Sequence, residues 1–347
     1  MNKTPEQIRA LRALHPEMRE RDFARIHSIS EAELVGTELG RSVTRIVVDI
    51  DMLLNGLKSV GEIMALTRNE SAVHEKIGPV EKVVIGPMAS MVLGDEIDLR
   101  IFPKRWAHGF AVEKTNTDGS IRHSFQFFDA QGQAVFKVHQ RPATDRGEWD
   151  LLAARLRHED QTSPVQVVAA DIIASAGEPA AVSDLRDAWS KMTDTHQFFP
   201  LLRKLNYPRL AALEAVGEDY AWQLDADAVK TLFSQVAGTD LPIMAFVGND
   251  GCIQIHSGPI TKVEAMGPWL NVMDPTFHLH LRMDHIMSVW AVRKPTADGH
   301  VTSVEVYGAD RELIIQFFGQ RQEGTDERST WRSLVENLPM HSTSNAA

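Results

Sequence analysis

Apolar residues recur at helical spacing early in the chain and at strand spacing further along. Thr4-Pro5-Glu6 opens a helix, with a threonine cap, proline at the first position, and Ile8, Leu11 and Leu14 following at helical spacing. Helical pattern continues through Glu31–Glu38 and Asp51–Met64. From about Val80 the period shortens. Glu96–Phe102 alternates, with Ile97, Leu99 and Ile101 on one face and Asp98, Arg100 and Phe102 on the other. His123–Phe128 and Ala134–His139 read as strands, and the glycine-containing turns at 117–119 and 130–133 are hairpin signals. Helices followed by an antiparallel meander make an α+β pattern.

The same order then starts again. Residues 141–182 form the join: a short helix at Trp149–Arg157, a polar loop at His158–Pro164 and a turn-prone stretch at Ser175–Pro179. Ser183 caps a new helix with acid in its first turn, expected to run to about Phe199, where Pro200 ends or kinks it. Strands are expected at Ile243–Val247, Gly251–His256, Phe277–Met283, Val289–Arg293, Thr302–Tyr307 and Glu312–Phe318. One amphipathic helix follows Arg321, and His341–Ala347 is expected to be disordered.

The second pass repeats the residues as well as the pattern. Met64-Ala65-Leu66-Thr67-Arg68-Asn69 returns as Met244-Ala245-Phe246-Val247-Gly248-Asn249, and Gly78-Pro79-Val80 as Gly258-Pro259-Ile260. Leu99-Arg100 returns as Leu281-Arg282, and Ala111-Val112-Glu113-Lys114 as Ala291-Val292-Arg293-Lys294. An offset near 180 residues is a duplicated domain rather than a solenoid unit. The expected division is a module at 1–160, a second at 161–340 and a tail at 341–347. Where the halves differ is where function is sought.

Composition narrows the field. A length of 347 residues fits two domains, and 43% hydrophobic with 24% charged residues describes a globular chain. A formal charge of -11 argues against nucleic acid as a partner. The N-terminus has no continuous apolar run of a secretory signal, and no stretch reaches the length of a membrane-spanning helix, so stable membrane insertion is not expected. The one cysteine, Cys252, cannot form an internal disulfide and suits a reducing, cytoplasmic compartment. It reads as a small buried strand residue rather than a nucleophile.

Several residues carry candidate chemistry. Asp194-Thr195-His196-Gln197-Phe198-Phe199-Pro200 places a histidine beside two aromatics just before a proline, where the first module has Glu20. An imidazole there is able to ligate a haem iron, with aromatics over the porphyrin. The ordinary alternative is a histidine hydrogen-bonded to a neighbour, and spacing alone favours it. Arg203, Lys204, Arg209, Lys294 and Arg321 are cations suited to carboxylates, although any one of them is ordinarily solvated surface. Alternation in Glu312–Phe318 puts Gln316 and Phe318 on one face. Arg100 and Arg282 share one address in the repeat, either for a structural carboxylate pair or, in one module, as a donor to a ligand. His278 and His280 share a strand face near His285, a weak zinc signal without a cysteine or acid close by. No nucleotide-binding glycine pattern or hydrolase elbow stands in a convincing context.

Taken together the chain resembles the bacterial cytoplasmic haemin-utilisation proteins of the HemS/ChuS/HmuS type, over nearly its whole length. The tandem module, the Asp-x-His-Gln-Phe-Phe stretch around His196, Asp98-Leu99-Arg100-Ile101-Phe102 and Gln316-Phe317-Phe318-Gly319-Gln320-Arg321 carry the resemblance. It implies two large antiparallel sheets packed together with flanking helices, and one haem b as ligand or substrate in a cleft beside the second module. By that likeness His196 is the proximal iron ligand and Arg100 reaches the distal side. Arg209, Lys294 and Arg321 would hold the propionates, with Gln316 and Phe318 lining the pocket. Tyr307-Gly308-Ala309-Asp310-Arg311 departs from the family's acidic-glycine hairpin. The implied function is storage or transfer of haem in iron acquisition, or its oxidative degradation, with a haem-receiving enzyme or an electron donor as partner. The competing class is a haem-free repeat scaffold or a structural zinc protein.

Overall fold

The computed structural model describes residues 3–116, 118–169, 177–321 and 326–341. The expected turn at Ser175–Pro179 lies partly outside these residues, as does the turn at 117–119, and the tail beyond His341 lies wholly outside them. Two large antiparallel sheets with flanking helices make up the fold. The chain divides into two compact units. The first gathers the described residues of Met1–Arg68, His74–Asp171 and Gly248–Gln254, and the second those of Asn69–Val73, Ile172–Val247 and Ile255–Ala347.

The first unit opens with three short helices, α1 (Pro5–Ala13), α2 (Glu20–Ile26) and α3 (Glu31–Gly36). Thr4 caps α1 as its sequence foretells: its hydroxyl accepts from the Gln7 amide while the Gln7 side chain accepts from the Thr4 amide. Strand β1 (Val43–Ile46) and helix α4 (Ile50–Leu57) precede the hairpin β2 (Gly61–Arg68) and β3 (Ala72–Pro79). Three short strands follow, β4 (Lys82–Val84), β5 (Ser90–Leu93) and β6 (Asp98–Ile101). The meander β7 (His108–Thr115), β8 (Ile121–Phe128) and β9 (Ala134–Thr144) then leads into α5 (Arg146–Leu156). Across the large sheet of this unit the order is β1-β7-β8-β9-β2-β3.

The second unit repeats the plan. Helices α6 (Val182–Ser190), α7 (Phe198–Lys204) and α8 (Arg209–Val216) precede β10 (Ala221–Leu224) and α9 (Ala228–Val236). The hairpin β11 (Ile243–Gly248) and β12 (Cys252–Gly258), whose residues from Gly248 to Gln254 group with the first unit, leads to β13 (Val263–Met266), β14 (Trp269–Met273) and β15 (Phe277–Arg282). The meander is β16 (Ser288–Thr296), β17 (Gly299–Tyr307) and β18 (Leu313–Gly319), and α10 (Ser329–Glu336) ends the described chain's helices. The order β10-β16-β17-β18-β11-β12 matches that of the first unit strand for strand.

Three expectations need correction. The helix read over Asp51–Met64 stops at Leu57. Gly61, at φ 75, turns the chain, and Ile63, Ala65 and Thr67 then alternate inward as a strand. Strands therefore begin before Val80. Ser183 does not cap α6, whose cap position is Ala181, two residues earlier and without a side-chain hydrogen bond. Nor does that helix run to Phe199. It ends at Ser190, and Pro200 sits instead in the first turn of α7, where a missing amide costs no hydrogen bond.

Each unit has its own core. In the second, Val304, Val306, Ile315 and Phe317 point from the sheet toward Leu232 and Phe233 of α9 and Trp331 of α10. The opposite face of the same strands meets α6–α8 through Trp290, Val292 and Tyr307, packed with Leu185, Trp189, Phe198 and Leu213. That second face carries the candidate site.

Candidate functional site

The segment between α6 and α7 is held by short-range hydrogen bonds. Asp194 is extended, and its carboxylate caps the single turn Thr195–Gln197 by accepting from the His196 amide at 2.7 Å. The same Oδ1 stands 2.7 Å from His196 Nδ1. A carboxylate at Nδ1 favours the tautomer with hydrogen there and leaves Nε2 with its lone pair. Asp194 titrates below the ordinary aspartate range, first because of the His196 amide, then the imidazole, and further because Arg321 is near. The Ala297 amide donates to Thr193 O at 2.8 Å and so ties the segment to the turn between β16 and β17. His196 is 93% exposed, and Phe199 beside it is 69% exposed.

Behind this turn, α7 and α8 cover a polar cluster on the sheet. Strand alternation puts Ser303, Glu305 and Tyr307 on the helix-covered face, opposite the apolar Val304 and Val306. Cross-strand register brings Phe318 opposite Ser303 and Gln316 opposite Glu305. Met244 and Phe246 then lie opposite Phe318 and Gln316, and the Phe246 and Phe318 rings meet edge to face at 5.0 Å.

Glu305, wholly buried, is the centre. Its carboxylate accepts from Arg209 Nε at 2.8 Å and a terminal Arg209 nitrogen at 2.7 Å, from Lys294 Nζ at 2.6 Å and from Tyr307 Oη at 2.7 Å. Burial opposes its ionisation, yet Arg209 and Lys294 outweigh that cost and hold it well below the usual carboxylate range. Burial pushes Lys294 down to about 8 against the pull of Glu305. Both cations also lie over Phe198, with Lys294 Nζ 4.7 Å and the Arg209 guanidinium carbon 5.1 Å from the ring centre.

The sequence candidates therefore fall into distinct groups. Arg209, Lys294, Gln316 and Phe318 share one face of the second unit, and Arg321 follows β18 close to Asp194. Arg209 and Lys294, expected as carboxylate holders, are each already paired with Glu305. Arg203 and Lys204 are exposed on α7. Arg100 lies on β6 of the first unit, paired with Asp98 and donating to Leu99 O at 3.1 Å. Arg282 makes a bidentate pair with Asp284, both bonds at 2.7 Å. The repeated arginines thus share a carboxylate-pairing role two residues away. His280 Nδ1 stands 2.6 Å from Asn271 Oδ1 and His285 Nδ1 3.0 Å from Ser71 Oγ. Among the described residues no group of three or more histidine, cysteine or acidic side chains is placed to hold a metal ion.

Sequence reasoning missed Glu305, Tyr307 and the orienting role of Asp194. A signal for Glu305 was present: a glutamate between Val304 and Val306 on a buried strand requires cationic partners.

The family model for the haemin-degrading HemS.ChuX domain matches the chain twice, at residues 28–156 and 206–338. The chain belongs to that family. The hemin transport protein HmuS of Yersinia pestis is 40% identical over 336 residues, covering 96% of each chain. The crystal structure of holo-PhuS, a heme-binding protein from Pseudomonas aeruginosa, superposes with a TM-score of 0.94 at 39% identity, covering 98% of this chain and 100% of that one. The heme degrading enzyme ChuS of Escherichia coli O157:H7 gives 0.88 at 37% identity, with 95% and 97% covered. The family's domain thus occurs twice in the chain. No helix among the described residues is long and apolar enough to cross a membrane.

Proposed function

We propose that this chain binds one haem on its second module, 161–340, with His196 Nε2 as the proximal iron ligand, and serves bacterial haem utilisation by storing or transferring the haem. The observation that carries the reading is the oriented, exposed imidazole: Asp194 holds Nδ1 at 2.7 Å while the ring is 93% exposed. A histidine kept for core packing would be covered. The donor set suits the ligand as well. A flat tetrapyrrole offers an aromatic face to Phe199 and Phe318, and its two propionates match Arg321, Lys294 and Arg209. Gln316 completes the polar lining. Because Glu305 already neutralises much of Lys294 and Arg209, Arg321 carries the largest share of the unshared positive charge in this assignment.

Bound haem would supply redox-active iron, which permits a second reading, oxidative opening of the ring. Likeness to the heme degrading enzyme ChuS favours it. In that reading Arg100 is the distal donor, after release from Asp98. Storage or transfer requires a haem-receiving enzyme as partner, and degradation an electron donor. Either reading belongs in the cytoplasm, which the single buried thiol suits.

Titrating haemin into the protein and following absorbance tests the binding step, with saturation at one equivalent expected. Reductant, oxygen and catalase are then added to the complex. A persistent haem band supports storage or transfer, and conversion to an open tetrapyrrole supports degradation. Absence of saturable haemin binding would refute both readings.

A further inference from the structure

The first unit carries a cavity of about 380 Å³ on the sheet face that corresponds, by internal repeat, to the site just described. Register makes the correspondence residue by residue. Ser124 pairs with His139 as Ser303 pairs with Phe318, and Gln126 with Lys137 as Glu305 with Gln316. Gln126 therefore stands at the address of Glu305, Lys137 at that of Gln316, and His139 at that of Phe318. On the helix side, Glu31 opens α3 where Arg209 opens α8. The charges have been exchanged across the interface between helix and sheet: in one unit a helix cation meets a strand carboxylate, and here a helix carboxylate meets strand cations.

The exchange leaves the first unit's cations less well matched. Glu31 accepts from Arg68 and stands 3.9 Å from Lys137 Nζ, beyond hydrogen-bond reach. The Lys137 side chain is only 11% exposed and forms no hydrogen bond among the described residues. Burial first, with Arg68 and Lys114 adding repulsion, lowers its proton affinity. His139, beside it, is pushed down to about 4 by burial and by Lys137, and is neutral at physiological pH. Glu20, which opens α2 where Phe198 opens α7 and not where His196 stands, is occupied by Lys114 at 2.5 Å. Arg122, exposed at one edge of the cavity, makes no direct ion pair among the described residues and feels the charge of Asp118. Leu34, Val35, Val43 and Leu66 line the same space.

We propose that this cavity is a second ligand site, which takes a small organic carboxylate with an apolar body, its head group held by Lys137 and Arg122 and its body against Leu34, Val43 and Leu66. A buried ammonium without a hydrogen-bond acceptor calls for an anion. The aliphatic wall selects against inorganic phosphate, and the imidazole here, that of His139, stands beside Lys137 rather than exposed on a carboxylate as His196 does. The site is independent of haem binding.

Calorimetric titration of the full chain with 3-phenylpropionate tests the proposal, with 3-phenylpropionamide, inorganic phosphate and haemin as parallel arms. Saturable binding of one carboxylate is expected, with the amide and phosphate at least ten-fold weaker. Lys137→Met should weaken the carboxylate ten-fold or more, while His196→Ala leaves it unchanged. Arg122→Gln, at an exposed position where folding is not at stake, should weaken it several-fold. The proposal is overturned if no saturable binding occurs, if the amide binds equally well, or if both Lys137→Met and Arg122→Gln bind as wild type. Displacement of the carboxylate by a second equivalent of haemin would also overturn it, reassigning the cavity to haem.

Discussion

At the scale of single residues, the account turns on two carboxylates that do opposite jobs. Asp194 is exposed and orients an imidazole; Glu305 is buried and keeps two cations in place. Partners behind a metal-ligating histidine typically change affinity about 10–100-fold when removed. Asp194→Asn should therefore weaken haemin binding within that range, measured by competition with apomyoglobin, while leaving the urea midpoint nearly unchanged. Glu305→Gln should act on stability instead. Removing one partner of a buried ion pair costs about 3–5 kcal/mol, because Lys294 and Arg209 would remain buried without their counter-ion. Urea denaturation monitored by tryptophan fluorescence reads that loss directly. A Glu305→Gln protein as stable as wild type would mean that the cluster is not the electrostatic keystone of this face.

At the scale of elements, packing adds constraints that composition does not reveal. Gly319 ends β18 against Trp331 of α10, and a Cβ there would come within 2.5 Å of the indole Cγ. Gly319→Ala should cost about 1–3 kcal/mol by overpacking, seen as a lowered Tm with the helix content kept. That constraint was illegible in the sequence, since Gly319 and Trp331 are brought together only by the fold. The α1 cap was legible because Thr4, Pro5 and Gln7 are near neighbours in sequence. The alternation of Ile97, Leu99 and Ile101 was legible for the same local reason, and all three are buried. Helical spacing misled at Asp51–Met64, where one glycine at positive φ changes the period from helix to strand. At the site, the Asp194–Gln197 motif was readable as a unit. The pairing of Arg209 with Glu305, 96 residues apart, was not.

At the scale of the whole molecule, a duplicated plan carries two unlike polar clusters. The strand orders of the two units agree, while the residues at equivalent addresses differ in charge: Arg209 for Glu31 on the helix, and Glu305 for Gln126 and Gln316 for Lys137 on the sheet. Divergence of this kind preserves the apolar registers that hold each sheet and alters the polar residues that face a ligand. The repeat itself and the candidate histidine were visible in the sequence. The change of charge on the sheet needed strand register, which a repeat with small shifts in its turns does not fix.

The central claim is that His196 ligates iron. The most direct test is the absorbance and electron paramagnetic resonance spectrum of the haemin complex, compared between wild type and His196→Ala with and without added imidazole. The account predicts a histidine-ligated ferric spectrum in wild type, its loss in His196→Ala, and its return when imidazole fills the space. An unchanged ferric spectrum in His196→Ala, without imidazole, would contradict it.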